Sequence, residues 1–600
     1  MKQFFKMFFA SFLAMIVMAV IVFGLTIGLI ASLASDVSDD KKQVSSNSVL
    51  RIELGKMIHE IGETNPFAAL GGGIAYSPGL YDITKAIEHA GTDKNIKGIL
   101  IKLEMSPNGW ATMQQLREAL LNFKAKGKFI YAYGEIAPQK SFYLASVADS
   151  IFLNPVGFTE FNGLSSSIPF FKGTLQKLEI EPEIFYAGKF KSATEPFRAE
   201  KMSEPNRQQI TELQQDIWAE LTQAVASHSK QTVAIVDGWA QSGAIQFPQD
   251  AQRNGLVDRL AYFDEVESLI RSKLDSKKTD GKEKSKETKI NYVDLDDYSG
   301  IVRRKRKLNN DRIAVLVAEG SISDGKSNEP YEIASEDFVE VIRKVKKNDK
   351  IKAVVLRVNS PGGSALASEV ILRELQLLRA KKPVIVSMGD VAASGGYYIS
   401  CQADSVFALP TTITGSIGVF TMLFNAEAMM KNKLGITFDG VKNAPYADFP
   451  SVTRPLNADE SRRMQAMVDT IYYTFMHRVS AARNIPVHMV DSIAQGRVWS
   501  GTDALRIGLV DGLGGMDRAI WSAAKKADLK DYQVVVYPEP TDRLEALMRR
   551  FSGSSITAEA LKAAMQEETG EGYELIRQLR SLHKMNGKAQ MTMPFELNIQ

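Results

Sequence analysis

The chain opens with a long apolar run. Lys2 and Lys6 precede residues 7–34, which contain no charged side chain. This run is long enough to span a bilayer and exceeds the apolar part of a cleavable signal peptide, which is about 7–15 residues. Residues 32–34, Ser-Leu-Ala, resemble a cleavage site, so processing stays open. We expect a retained transmembrane helix with its N-terminus in the cytoplasm and a polar tether over residues 35–47.

Beyond the tether, the spacing of apolar positions alternates between two periods. Residues 96–103 and 128–133 are apolar and β-rich, and both segments are typical of strands. Residues 113–124, between them, have the spacing of an amphipathic helix. Such alternation predicts crossover units and a parallel sheet covered by helices, which is an α/β fold.

The chain also repeats itself. Residues 134–155 read GEIAPQKSFYLASVADSIFLNP, and residues 389–410 read GDVAASGGYYISCQADSVFALP. The two segments align without a gap at an offset of 255 positions, and Gly-Leu-Val-Asp at 255–258 recurs at 508–511. A similarity this long indicates two copies of one α/β domain.

These patterns divide the chain into five parts. They are an N-terminal membrane anchor and tether (1–47), a first repeat (48–271), a charged linker (272–310), a second repeat (311–536) and a helical C-terminal tail (537–600). Residues 275–289 have almost no apolar side chains and predict a solvated, mobile linker. The tail has helical patterns at 543–551 and 558–582 without a counterpart in the first copy, and we expect it to serve assembly.

Composition narrows the functional classes. The net charge is +3 over 600 residues, so no nucleic-acid partner is predicted, and the basic run at 303–307 is interpreted as part of the linker. Cys401 is the only cysteine, which excludes an intrachain disulfide. The sequence has no Cys/His cluster with metal-ligand spacing and no phosphate-binding GxxxxGK[ST] motif, so no cofactor or metal is expected.

Ser394 lies in a sequence that can expose a nucleophile. Residues 383–387 predict a buried strand, Gly389 predicts a turn, and small residues surround Ser394 before a segment that can continue as a helix. A helix N-terminus offers free N–H groups to a developing oxyanion. The alternative is a glycine-rich packing turn in which the serine only caps the helix.

The two copies differ in chemistry at this place. Ser394 aligns with Gln139, and the following Gly395-Gly396 aligns with Lys140-Ser141. Residues 359–364, NSPGGS, align with EMSPNG at 104–109. The second copy therefore keeps an exposed serine and a Pro-Gly-Gly turn that can present backbone N–H groups, whereas the first copy has lost both.

The opposite asymmetry occurs at a lysine. Residues 188–193 read GKFKSA, and the counterpart near 444–447 has no lysine at the position of Lys191. A serine needs a base, and a lysine can serve if burial lowers its pKa. On the local sequence alone, a surface lysine on a loop is the favoured interpretation of Lys191. None of the histidines lies in a motif-like setting; they are His59, His89, His228, His477, His488 and His583. We therefore hypothesise that the two copies together form one complete catalytic site.

Four motifs resemble those of the long form of bacterial signal peptide peptidase A. They are GDVAASGGYYIS, NSPGGS, ITGSIGVF and, in the first half, GKFKSATEPF. The resemblance covers about residues 48–530 and the anchor. It implies two tandem ClpP/crotonase-like repeats after an N-terminal transmembrane helix, and a serine–lysine protease. It also implies a homotetramer on the outer, periplasmic side of the bacterial inner membrane, which degrades signal-peptide remnants and other short or unfolded peptides.

The same resemblance implies a role for each site residue. Ser394 would be the nucleophile and Lys191 the general base, while Ser416 would orient the lysine amine. The backbone N–H groups of Gly363 and Gly395 would form the oxyanion hole. Without the resemblance, Ser416 is equally well interpreted as an ordinary turn serine.

Two other functional classes remain as alternatives. A crotonase-like fold also supports acyl-CoA chemistry, in which paired N–H groups stabilise a thioester enolate. Such an enzyme would need neither the anchor nor a serine and a lysine divided between repeats. A non-enzymatic membrane scaffold of the same fold would tolerate loss of Ser394 or Lys191, and this chain has both.

Overall fold

The structure is a computed structural model. It describes residues 44–64, 76–275, 289–304, 309–539 without 328 and 330, and 587–593, together with residues 13, 15, 17, 18 and 21. Within these residues, no helix is both long and apolar enough to cross a membrane. Most of the predicted transmembrane run, linker residues 276–288 and the helical patterns of the tail lie outside the described residues.

A six-stranded parallel sheet forms the centre of the first repeat. Its strand order is β8-β6-β5-β4-β1-β9. The strands of this repeat are β1 (Ser48–Glu53), β2 (Glu63–Thr64), β3 (Tyr76–Ser77), β4 (Ile96–Lys102), β5 (Phe129–Ala137), β6 (Ser150–Thr159), β7 (Glu181–Ala187), β8 (Arg259–Leu260) and β9 (Asn291–Asp294). The predicted strands at 96–103 and 128–133 are β4 and β5.

Amphipathic helices cover this sheet. In the first of them, Ile83, Ala86, Ile87 and Ala90 are fully or nearly fully buried at the i, i+3, i+4, i+7 spacing of one helical face. The helices are α1 (Leu80–Thr92), α2 (Trp110–Lys124), α3 (Gln139–Ala145), α4 (Lys172–Leu178), α5 (Glu195–Arg198), α6 (Glu204–Ser229), α7 (Val233–Ser242), α8 (Pro248–Arg253), α9 (Phe263–Asp275) and α10 (Leu295–Arg304).

The second repeat has the same plan. Its sheet runs β19-β17-β15-β13-β10-β21, with β16 paired beside β15. The strands are β10 (Arg312–Glu319), β11 (Ser321–Ser323), β12 (Glu332–Ala334), β13 (Ile351–Ser360), β14 (Gly362–Ser364), β15 (Val384–Ala393), β16 (Ser405–Ala408), β17 (Ile413–Gly415), β18 (Val419–Asn425), β19 (Val498–Ser500), β20 (Gly512–Leu513) and β21 (Gln533–Tyr537). The helices are α11 (Ser335–Lys347), α12 (Ala365–Arg379), α13 (Gly395–Ser400), α14 (Glu427–Leu434), α15 (Ala458–Arg483), α16 (Val487–Ile493), α17 (Gly501–Arg506) and α18 (Met516–Lys526).

The predicted duplication is confirmed in this fold. Helices α1 and α11 begin 255 positions apart, and so do α2 and α12. Each repeat also ends in a parallel strand beside its own first strand, β9 next to β1 and β21 next to β10. The two copies therefore share the spacing of these helices and the pairing of their first and last strands.

The segment expected to be a linker contributes to the first repeat. Strand β9 and helix α10 fall inside residues 272–310, and Tyr298 on α10 is fully buried. The Tyr298 hydroxyl lies 2.8 Å from Nδ1 of His89 and donates a hydrogen bond to Asp93 at 3.0 Å. The charged residues around this helix obscured a buried face formed by Leu295, Tyr298 and Val302.

A third sheet joins the two repeats. Its order is β12-β11-β14-β22-β18-β7, where β22 (Gln590–Thr592) comes from the C-terminal tail. Strand β7 of the first repeat pairs antiparallel with β18 of the second along its whole length. This pairing brings the chain that follows β7 into the second repeat. The described part of the tail is thus a strand and not a helix.

Strand β15 differs from its prediction. The expected turn at Gly389 is wrong, because β15 continues through it to Ala393. A Cβ atom on Gly389 would lie 3.0 Å from Cβ of Asn359 and 2.9 Å from Oε1 of Glu60. The glycine therefore permits close packing, and the turn occurs at Ser394.

Candidate active site

Ser394 lies at the junction of β15 and α13. Its backbone has φ 54° and ψ −113°, a conformation that non-glycine residues rarely adopt. The Ser394 N–H donates to the carbonyl of Gly415 at 2.8 Å, which holds the turn against β17. The Ser394 side chain forms no capping hydrogen bond with α13. The interpretation as a helix-capping serine is therefore not supported.

The pairing of β7 with β18 carries Lys191 to this turn. Ala187, the last residue of β7, lies opposite Val419, and Lys191 follows four positions later. A Cβ atom on Gly496 would lie 2.6 Å from Cβ of Lys191, so the loop that contains Gly496 packs directly on the lysine backbone. The Phe190 N–H donates to the carbonyl of Gln495 at 2.8 Å and fixes this approach.

The lysine amine meets two serines. Lys191 Nζ lies 2.9 Å from Ser394 Oγ, 3.0 Å from Ser416 Oγ and 3.2 Å from the Ser416 carbonyl oxygen. All three residues have 0 % of their surface exposed. The interpretation of Lys191 as a surface residue is therefore wrong. Ala393 of β15 and Gly415 of β17 are paired neighbours in the sheet. Ser394 and Ser416, which directly follow them, therefore lie side by side.

Burial disfavours the charged form of this amine. Removal from water lowers the pKa of Lys191 well below its usual range. A neutral amine has one lone pair and two N–H groups. It can accept the proton of the Ser394 hydroxyl while it donates to the hydroxyl and carbonyl oxygens of Ser416. The three short contacts of Nζ fit a neutral amine that accepts one hydrogen bond, from Ser394, and donates two, both to Ser416.

Glycines line the wall beside Ser394. A Cβ atom on Gly362 would lie 2.7 Å from the backbone nitrogen of Gly395, and one on Gly395 would lie 2.7 Å from Ser368 Oγ. A Cβ atom on Gly363 would lie 1.9 Å from the carbonyl oxygen of Ile322. The turn after β13 and the start of α13 therefore approach closely, and larger residues would separate them.

Gln209 is a site residue that the sequence did not reveal. This buried side chain on α6 donates to the Phe190 carbonyl at 3.3 Å and to Ser192 Oγ at 3.1 Å. Its Oε1 accepts the Val498 N–H at 3.2 Å. Gln209 thus ties the lysine loop to β19. A glutamine on a long helix is typical of a solvated face, so no sequence signal distinguished it.

In the first repeat the corresponding place is filled by its own side chains. Gln139 Oε1 accepts the N–H groups of Asn162 and Gly163, each at 2.9 Å. Lys140 donates to the carbonyl of Asn108 at 2.9 Å. Where the second repeat has Ser394, the first repeat therefore has the Gln139 amide, which is hydrogen-bonded to the backbone. This supports the inference that only the second repeat carries the nucleophile.

Family comparisons agree with the duplicated architecture. Residues 122–277 and 376–530 match the model for peptidase family S49, and residues 305–414 match the model for Clp protease. Protease 4 of Salmonella typhi is 35% identical over 498 residues, which are 81% of this chain and 78% of that protein. The chloroplastic serine protease SPPA of Arabidopsis thaliana is 33% identical over 490 residues, 80% of this chain and 71% of that protein.

Among solved structures, a ClpP1 mutant from Listeria monocytogenes is similar to part of the chain. The match covers 34% of this chain and 94% of that one, with 14% sequence identity and a TM-score of 0.24. The support for a ClpP-like α/β fold in tandem copies therefore comes from the family matches.

Proposed function

This chain belongs to peptidase family S49 and is a serine peptidase, and we propose that Ser394 and Lys191 form its catalytic dyad across the two repeats. The observation that carries the proposal is the 2.9 Å contact between Lys191 Nζ and Ser394 Oγ in a fully buried setting. Histidine is the usual base for serine, but Lys191 is the hydrogen-bond partner of Ser394 Oγ among the described residues.

In the proposed reaction, neutral Lys191 takes the hydroxyl proton of Ser394 as Oγ attacks the substrate carbonyl carbon. The protonated lysine then gives this proton to the leaving amine, and water hydrolyses the ester in a second step. Ser416 would hold the amine in position through its hydroxyl and carbonyl oxygens. An amine fixed from two sides loses less orientational freedom when it acts, which favours proton transfer.

The oxyanion hole is proposed to consist of the backbone N–H groups of Gly363 and Gly395. Support comes from the close approach of the two segments that carry them. Gly395 is also the first residue of α13, where backbone N–H groups are free of helical partners. Donors fixed in advance, in a site that excludes water, stabilise the negative charge that develops on the substrate oxygen.

The substrates, the membrane topology and the oligomeric state are proposed from the resemblance to signal peptide peptidase A. We assign as substrates signal-peptide remnants and other short or unfolded peptides. Residues 7–34 would anchor the chain in the inner membrane of a bacterium, with the repeats on the outer side as a homotetramer. Protease accessibility in spheroplasts tests this topology: the repeats should be digested in intact spheroplasts. Digestion only after the membrane is opened would contradict it.

A fluorophosphonate probe followed by peptide mapping tests the nucleophile. The expected adduct lies on Ser394 and is absent in Ser394→Ala and in Lys191→Ala. Lys189→Ala is the matched control, because Lys189 is on the same loop but exposed. An acyl-CoA enzyme or a scaffold would give no adduct. An adduct on a different serine, or full labelling of Lys191→Ala, would contradict the dyad.

A further inference from the structure

A short segment of the second repeat, residues 495–497, lies between the lysine loop and the turn of Ser416. The carbonyl of Gln495 accepts the N–H of Phe190 at 2.8 Å, and the carbonyl of Arg497 accepts the N–H of Ser416 at 2.7 Å. Phe190 directly precedes Lys191 in the chain. The segment therefore fixes the backbone beside the lysine and, at the same time, the backbone of the serine that contacts its amine.

The side chain of Arg497 lies against two buried rings. Its guanidinium carbon is 5.1 Å from the centre of the Phe190 ring and 3.9 Å from the centre of the Trp499 ring. Phe190 and Trp499 are each 7 % exposed. A guanidinium over an aromatic face is attracted by the ring, and more strongly where water is excluded. The arginine thus holds the residue that precedes Lys191 against the second repeat.

The charged end of Arg497 reaches the other repeat. Its Nη2 pairs with Oε2 of Glu212 on α6, and the two side chains are 16 % and 35 % exposed. The second carboxylate oxygen of Glu212 accepts a hydrogen bond from Gln208 at 2.9 Å. One turn earlier on the same helix, Gln209 accepts the N–H of Val498 at 3.2 Å. Helix α6 of the first repeat therefore binds two consecutive residues of this segment.

The two copies of the domain differ at both members of the ion pair. At the offset of 253 positions that relates the Gly-Leu-Val-Asp segments, Arg497 corresponds to Ala244. Helices α6 and α15 begin 254 positions apart and both have 26 residues, so that Glu212 corresponds to Ala466. Neither charged residue recurs at its aligned position. Like the proposed dyad, the pair occurs once and joins the two repeats.

We propose that Arg497 is a positioning residue for the reaction. Its ion pair with Glu212 and its packing on Phe190 hold the loop of Lys191, so that the amine stays within reach of Ser394. The inference rests on the proposed dyad. Arg497 acts through the loop and takes no part in proton transfer. A looser loop would place the amine at the hydroxyl for less of the time and would admit water beside it.

Arg497→Met tests this role, because it removes the charge and keeps a long apolar side chain. We expect kcat for a short peptide to fall by about 10²-fold, as for a base displaced by about 1 Å, while KM changes little. The pH limb of kcat/KM should also move toward the usual lysine value of about 10.4, because water that reaches Lys191 stabilises its charged form. A purely structural role would lower the melting temperature and leave the limb in place.

Three further variants separate the contacts. Glu212→Gln should change kcat and the limb in the same direction, and its combination with Arg497→Met should add little, because the residues act as a pair. Arg497→Lys keeps the charge without the flat guanidinium and should regain part of the lost kcat. Arg506→Met is the matched control and should keep wild-type turnover, because Arg506 is 66 % exposed and pairs only with Asp503 among the described carboxylates.

The outcomes separate this inference from the proposed function. Wild-type kcat and an unmoved limb in Arg497→Met and Glu212→Gln would overturn the positioning role and leave the dyad intact. A fall in kcat without a shift of the limb would show a structural role only and would also overturn the inference. If Arg497→Met does not fold, Glu212→Gln and Arg497→Lys decide by the same two readouts. Full turnover by Lys191→Ala would overturn the dyad and this inference together.

Discussion

Lys191 Nζ lies 2.9 Å from Ser394 Oγ although the residues are 203 positions apart and belong to different repeats. The contact exists because β7 leaves the first repeat and pairs with β18 of the second. Each copy alone therefore lacks half of the proposed dyad.

This arrangement predicts that Ser394→Ala and Lys191→Ala are equally inactive. Residues that act as a unit are not additive, so each variant should lose several orders of magnitude in kcat, and the double variant little more. The measurement is hydrolysis of a short peptide by each purified variant. Lys189→Ala on the same loop should keep wild-type turnover. Near-normal turnover by Lys191→Ala would remove the lysine from the mechanism.

Ser416→Ala tests the positioning of the amine. The variant loses one of the two hydrogen bonds that Lys191 donates to Ser416 and keeps the one to the carbonyl oxygen. A single hydrogen bond of about 0.5–1.5 kcal/mol corresponds to a fall in kcat of up to about tenfold. Ser405→Ala, in β16 of the same repeat, is the control and should have no effect. A Ser416→Ala enzyme as inactive as Lys191→Ala would indicate that Ser416 takes part in proton transfer itself.

Gly395→Ala tests the oxyanion hole. The added Cβ would lie 2.7 Å from Ser368 Oγ and 3.2 Å from Cα of Gly362, so the Gly395 N–H should shift. Loss of one such donor costs about 10²–10³ in kcat. Gly238→Ala in α7 is the matched control, because its Cβ would have no neighbour within 4 Å. If Gly395→Ala changed KM and not kcat, the residue would be part of substrate binding only.

The sequence predicted the repeats, and the pairing of a serine in one repeat with a lysine in the other, more fully than it predicted the connections. Ser394 and Lys191 were visible because the copies differ in chemistry at these two positions. Strand β7 could not be assigned to the second repeat, since its pairing with β18 is a non-local contact without a local signal. The charged residues of helix α10 hid its buried face from the sequence analysis. In the tail, strand β22 is only three residues long, too short a pattern to be recognised next to the helical patterns that precede it.

Burial of Lys191 also predicts a pH dependence of stability. Its folded-state pKa is lowered, while the unfolded chain titrates near about 10.4. Between these values the unfolded state binds the proton and the folded state does not, so the free energy of unfolding rises with pH. The pH slope of the free energy of unfolding should be larger for the wild-type protein than for Lys191→Met, by up to about 1.4 kcal/mol per pH unit. Urea unfolding of both proteins at several pH values measures it. Parallel curves across this window would mean that the lysine keeps its usual pKa.

The pH dependence of kcat/KM tests the central claim most directly, namely that neutral, buried Lys191 is the base for Ser394. The amine must be unprotonated to act, so activity should rise with pH through its lowered pKa. We expect a single limb well below the usual lysine value of about 10.4 for a short peptide ester assayed from pH 5 to 10. Folding is checked at each point. The account would be contradicted by a limb at about pH 6.5 that disappears when one histidine is replaced, because the base would then be that histidine.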